Sequence, residues 1–260
     1  MAFGLIFSAC NKEDESTGQS MTASGRHISK ITVVDVSDGY NRNVSSIKFN
    51  WDGDKLMHVY INSEGDLVSD ASFSYNGTTL QSASIIDYES NSHDVLDFIR
   101  NGSQVAYLEN SKSDRISVYY EGSNPARIVG EDADNALSLV WSDGNLGRIR
   151  SSDREVDISM TEFDSHTNPL VEVLSILFPG VSQTWHNPIR VSSDGDMVSI
   201  SYEYNGEYPS VATCNFSDGK SKIYFEYTDG TGTRAPVVDK YTPKRAKGVG
   251  FELLPDFIER

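Results

Sequence analysis

The chain has 260 residues, of which 38% are apolar and 23% charged, with 22 Lys plus Arg against 38 Asp plus Glu and a formal charge of −16. This composition fits a folded chain with a full core and excludes a disordered one. It also argues against nucleic acid or an anionic membrane surface as the main partner, because both need clustered cations. No run of about 18 apolar residues offers a spanning helix.

The first element is a short apolar run, Ala2 to Ala9, which ends in two small residues before Cys10. Phe7-Ser8-Ala9-Cys10 resembles the lipobox of bacterial lipoproteins, with Phe7 in place of the usual Leu or Val. That resemblance implies cleavage before Cys10 and lipidation of its thiol. A complete secretory signal carries a basic segment, and none precedes this run, so residues 1–9 read as a partial signal whose translation start lies upstream of Met1. Residues 10–28 open with Asn11-Lys12-Glu13-Asp14-Glu15 and read as a polar tether. A Lys followed by acids just after the lipidated Cys resembles the export signal of surface-exposed Bacteroidota lipoproteins. The implied location is the outer membrane, lipid-anchored and facing outward, with a periplasm-facing anchor as the alternative.

Residues 29–260 read as one β domain. Asp-Gly recurs at 38–39, 52–53, 143–144, 194–195, 218–219 and 229–230, and Asn-Gly at 76–77, 101–102 and 205–206. These dipeptides tolerate the positive φ of tight hairpins. Between them the apolar pattern has period two: Ile47, Phe49, Trp51; Leu137, Leu139, Trp141; Val198, Ile200, Tyr202, Tyr204; Ile223, Phe225, Tyr227. Such alternation predicts antiparallel strands with one buried and one wet face. The aromatics that close the strands stand at 51, 75, 120, 141, 204 and 227, near multiples of a spacing of about 22 residues, and define a degenerate hairpin repeat. The fold expected is all-β: a long, curved antiparallel meander, open or half-barrel-like, with one or two short helices packed on it.

Two segments break the alternation. Thr167-Asn168-Pro169 leads into Leu170 to Phe178, and Pro179-Gly180 follows, which predicts a short, buried helix plugging the concave face. Ser92 to Arg100, stopped by Asn101-Gly102, reads as a second and weaker helix. The tail beyond Gly230 gathers Arg234, Lys240, Lys244, Arg245 and Lys247, and reads as a strand and cap that neutralise the acidic body, with a short helix from Pro255.

The hairpin unit, aromatic-x-aromatic-Asp/Asn-x-Gly-x-Leu, resembles the YD or Rhs-type repeat. Phe163-Asp164-Ser165-His166-Thr167-Asn168-Pro169-Leu170, followed by Phe178-Pro179-Gly180, His186-Asn187-Pro188 and Tyr202-Glu203-Tyr204-Asn205-Gly206, is more specific. It is similar to Bacteroidota lipoproteins with an uncharacterised β-sheet domain, here with Phe163 for the usual Tyr and Leu170 for the usual Phe. The resemblance spans roughly residues 40–230. It implies a curved antiparallel sheet and carries no activity with it.

Chemistry is sparse. His27, His58, His93, His166 and His186 lie far apart, without zinc-binding spacing, and there is no phosphate loop or nucleophile elbow. Asp164 and His166 share a loop and could pair as base and orienter, against the plainer reading of Asp164 as a residue that accepts backbone amides and caps the turn before Pro169. Asp52-Gly53-Asp54, Asp194-Gly195-Asp196 and Glu131 to Asn135 are oxygen-rich, but none fits a calcium loop, so turn formation explains them. Cys214 reads as a small buried strand residue. The aromatics read as core, with stacking on sugars as the alternative. No catalytic residue, metal or cofactor is assigned. The function expected is a non-catalytic surface binding or adhesion module for glycan or protein, against a glycan-acting hydrolase with acids from separate strands or a structural accessory lipoprotein.

Overall fold

The structure, a computed structural model, describes residues 26–36, 42–130, 136–152, 156–181, 186–193 and 196–233. Among them the first strands are β1 (Ile28–Asp35), β2 (Arg42–Asp52), β3 (Lys55–Ser63), β4 (Asp66–Asn76) and β5 (Thr79–Asp87). Then come β6 (Ser92–Asn101), β7 (Gln104–Asn110), β8 (Arg115–Glu121), β9 (Asn124–Val129), β10 (Ala136–Ser142) and β11 (Asn145–Ser151). β12 (Asp157–Thr167) leads into the helix α1 (Val171–Leu177), and β13 (His186–Ser193), β14 (Asp196–Asn205), β15 (Tyr208–Asn215) and β16 (Lys220–Tyr227) complete the sheet. Every strand pairs antiparallel with its sequence neighbours, and β1 pairs with β16, so the meander is a closed barrel.

That closure corrects the open or half-barrel sheet expected from the sequence. Ile31↔Phe225 and Val33↔Ile223 join residues at opposite ends of the chain, and no local pattern encodes which strand the first one meets. The second expected helix is also corrected. Residues 92–101 form β6, with Leu96 and Phe98 buried and Val95 and Asp97 exposed. The segment alternates as a strand does, and Asn101-Gly102 is a hairpin turn rather than a helix stop. The expected helix after Pro169 is present as α1, with Val171, Val173 and Leu174 buried.

The repeat is realised as a shared register. Trp51 pairs with Leu56 while Asn50 pairs with His58, so the return strand holds one extra residue opposite them. Tyr75↔Leu80 with Ser74↔Ser82 repeats this bulge, as do Arg100↔Val105, Tyr120↔Pro125, Trp141↔Leu146 and Tyr204↔Pro209 with their flanking pairs. Arg100 fills the aromatic position of the copy that the aromatics alone leave blank. The bulge turns the strand and adds twist, which curves each hairpin in the same sense. Gly53 and Gly77 sit at φ 57° and 61° in these turns with open space around them, so they are there for backbone conformation alone.

The two faces of the wall differ sharply. Ile47, Phe49, Val59, Ala71, Phe73, Ala83, Phe98, Val118, Ile149, Met160, Ile200 and Phe225 belong to one buried cluster that also takes in Leu170, Val171 and Leu174 of the α1 region. A circular barrel of this strand number encloses a water-filled lumen. Burial of the inward side chains therefore requires the walls to close on one another and fill the interior. The outward positions are mostly polar, with Val95, Tyr119, Val140 and Met197 as exposed apolar exceptions, and carry cross-strand ion pairs: Lys30–Glu226, Arg115–Glu109, Arg148–Asp157 and Arg190–Glu162. Thr32, Val34 and Val211 are outward by register and yet buried.

Candidate functional site

The aromatic-ended turns all lie at one rim of the barrel, because alternate strands arrive there. β12 ends and β13 begins at the same rim, so α1 sits over it. The rim is a collar of side chains whose polar tips hook the preceding hairpin. Trp51 Nε1 donates to the Ile28 carbonyl at 2.8 Å, Tyr75 Oη to Leu56 at 2.8 Å and Trp141 Nε1 to Pro125 at 2.7 Å. Tyr202 Oη donates to Pro188 at 2.9 Å and Tyr227 Oη to Pro209 at 2.8 Å. Arg100, in the slot without an aromatic, reaches the Leu80 carbonyl at 3.4 Å through Nη2. The rings pack against the core and their polar ends are spent on main chain, which favours the core reading of the repeat aromatics over an open sugar platform. Burial raises the pKa of Tyr75 to about 12, against the hydrogen bond to Leu56 that lowers it.

Two polar clusters are built into this rim. The first precedes β1, ahead of the expected domain boundary at residue 29. His27 is 8% exposed. Its ring stacks on Trp51 with centroids 4.5 Å apart. Its Nδ1 lies 2.5 Å from Glu172 Oε1 of α1, and its Nε2 lies 3.7 Å from Asp54 Oδ1 in the β2–β3 turn. Burial pushes the Glu172 carboxyl above its ordinary range, His27 opposes the shift, and Asp54 adds to it. Arg26 pairs with Asp229 at 3.0 Å, donates to Thr231 Oγ1, and lies over the rings of Tyr208 and Tyr227 at 5.4 and 5.0 Å. Hydrogen bonds from the Thr231 hydroxyl and amide hold Asp229 below the usual carboxylate range, and Arg26 deepens the effect. This pair of residues clasps β1 to β16, α1 and the β2–β3 turn at the seam where the barrel closes.

The second cluster surrounds Asp164 at the end of β12. Asp164 Oδ1 accepts the His166 amide at 2.8 Å and the Asn187 amide at 3.2 Å. Its Oδ2 accepts the Tyr204 hydroxyl and, at 3.4 Å, the Asn187 side chain. The His166 ring stacks on Tyr204 at 3.9 Å, and its Nδ1 is buried without a hydrogen-bond partner, like that of His186. Burial lowers the His186 pKa, His166 adds to the effect and Asp164 opposes it. Asp164 therefore fixes backbone and side chains of three strands, while Asn168 Oδ1 takes the cap role by accepting the Leu170 amide at 2.9 Å. The expected pairing of Asp164 and His166 as base and orienter in a loop is not realised: both lie in β12, and Asp164 accepts the backbone amide of His166.

The Asp164, Asn187 and Tyr204 segments stand out in the sequence as one motif, and the fold gathers them. His27 and Glu172 stand 145 positions apart, and no spacing signal joins them. Cys214 is buried, and burial pushes its thiol pKa up to about 12, as suits an inert strand residue. Asp52-Gly53-Asp54 forms a turn of the collar, whereas Glu131 to Asn135 and Asp194-Gly195 lie outside the described residues, as do Cys10, the tether to residue 25 and the tail from 234. Among the described residues no group of three His, Cys, Asp or Glu side chains is arranged to hold a metal. An open depression of about 460 Å³ lies outside the rim, lined by Ser29, Lys30, Lys48, Asn50, Trp51 and Glu226 among others.

No helix among the described residues is long and apolar enough to cross a membrane, which leaves a crossing by strands untouched. No family model matches the chain, and no curated protein does. Among solved structures it is similar to a porin-like protein from Bacteroides vulgatus ATCC 8482, at 10% identity and a TM-score of 0.37, over 78% of this chain and 98% of that one.

Proposed function

We propose that this chain is an outer-membrane lipoprotein of the Bacteroidota type, anchored through a lipid on Cys10, whose barrel stands in water and serves as a non-catalytic binding module. A closed barrel, with no long apolar helix among the described residues, fits an outer-membrane protein. The observation that carries the reading is the polarity of the wall. A lipid-embedded barrel presents an apolar band outward. This barrel buries its apolar side chains inward and turns Lys30–Glu226, Arg148–Asp157 and Arg190–Glu162 outward. A cation at the bilayer midplane of a barrel costs about 2–4 kcal/mol, so a membrane-embedded wall of this composition is disfavoured.

The test is membrane fractionation of the full chain and of its Cys10→Ala variant. The reading expects the unsubstituted chain to sediment with outer membranes and to be released by detergent. It expects the variant to leave the membrane in an alkaline wash. A Cys10→Ala chain that stays in washed membranes overturns the proposal in favour of an embedded barrel.

A further inference from the structure

The outer face of β8–β12 gathers three arginines, Arg127, Arg148 and Arg150, in an acidic molecule. The register places Tyr119, Arg127, Ser138, Arg150 and Asp157 side by side across five successive strands. At the spacing of paired strands the row is about 19 Å long. Tyr119 is 56% exposed, the largest exposure among the exposed bulky apolar residues described. Arg127 is exposed and, among the described residues, makes no hydrogen bond or ion pair. The one acid of the row, Asp157, is taken by Arg148, whose Nε and Nη2 donate to it at 2.7 and 2.6 Å. Arg150 lies 3.9 Å from the same carboxylate and is 40% exposed. Arg127 and Arg150 thus present guanidinium groups to solvent two strands apart, in a chain of net charge −16.

We infer that this row binds an anionic glycan. The inference rests on the reading of the chain as a surface binding module and names the ligand class. A guanidinium offers parallel donors that match a carboxylate or sulfate. An exposed tyrosine ring supplies a flat surface for the apolar face of a sugar. The footprint is linear and one residue wide, with Ser138 at its middle and Ser117 and Ser159 beside it, which suits an extended polymer. A protein partner instead needs a compact apolar centre shielded from water, and beside Tyr119 the apolar area described on this face is small: Val140, 53% exposed and paired with Arg148, and the half-buried Val129.

The experiment measures binding of the full chain in detergent to polygalacturonate, to heparin and to a neutral glucan. The first two probes separate uronate from sulfate recognition. The variants are Arg127→Gln/Arg150→Gln, Tyr119→Ala, and Lys30→Gln/Lys48→Gln, the last removing two cations from the outer face of β1 and β2. The inference expects binding to at least one anionic probe. The arginine variant should bind about tenfold more weakly or worse, the loss of a charged hydrogen bond. The tyrosine variant should be weakened several-fold, and the lysine variant should bind as the unsubstituted chain does. Equal weakening by the lysine variant overturns it, since attraction is then diffuse. Binding to the glucan alone also overturns it but leaves the binding-module reading intact. Failure to bind these probes or any member of a broad glycan and protein screen counts against both.

Discussion

Substituting His27 by alanine should open the barrel at its seam. The side chain contributes a hydrogen bond to the Glu172 carboxylate at 2.5 Å and a ring stack on Trp51 at 4.5 Å. A hydrogen bond to a charged group is worth about 1.5–3 kcal/mol, and an aromatic stack adds about 0.5–1.5 kcal/mol. Glu172 keeps 36% of its side chain exposed, so solvent screening trims the first figure. The expected loss is about 2–3 kcal/mol, read by urea unfolding followed by tryptophan fluorescence. A double-mutant cycle of His27→Ala with Glu172→Ala should return a coupling of about 1–2 kcal/mol, because the two groups are in contact. The pH dependence has a definite sign. The folded pKa of Glu172 is raised, so the native state holds that proton more tightly than the unfolded chain does. Stability then falls as pH rises from the ordinary carboxylate value through the raised one. His27 opposes the shift, so its removal should deepen the fall, and the variant should lose more at about pH 7 than at about pH 4. A coupling below about 0.5 kcal/mol, within the scatter of additive sites, refutes the clasp and reduces His27 to a packing residue.

Further outcomes follow from the collar and the core. Leu80→Ala, at a side chain 2% exposed, should destabilise by about 2–5 kcal/mol in the same urea assay. Gly77→Ala meets open space but φ 61°, so it should cost about 1–2 kcal/mol through the backbone alone, and Gly77→Asn should recover part of that. The Cys214 thiol, with its pKa near 12, should resist alkylation at neutral pH in the folded chain and react once urea unfolds it, as mass spectrometry would record.

The strands were legible where alternation is strict. Val198 to Tyr204 and Ile223 to Tyr227 read as strands and are strands. The repeat spacing was legible too, since each copy ends on the same bulge. β6 looks helical in sequence because Val95, Leu96, Phe98 and Ile99 mimic helical spacing when only apolar identity is counted. The exposed Val95 shows that an apolar residue there need not face the core. Closure was invisible because the β1–β16 register depends on the accumulated twist of the intervening strands, which no single window contains. The rim clusters divide the same way. Asp164, Asn187 and Tyr204 belong to segments that stand out as a motif. His27 and Glu172 look ordinary in sequence and meet only because α1 lies over the end of β1.

The closed register of β1 with β16 also limits how this molecule can be approached. Extended peptides dock on many sheets by adding a strand to an unpaired edge, and exposed edges are also where chains aggregate. Here each described strand has both flanks occupied by neighbours, so the backbone offers no such template. Among the described residues, recognition of a partner therefore passes through side chains on the wall or through the loops at the two rims. Selectivity can accordingly be altered by substitutions on the outer face without touching the register that holds the barrel shut.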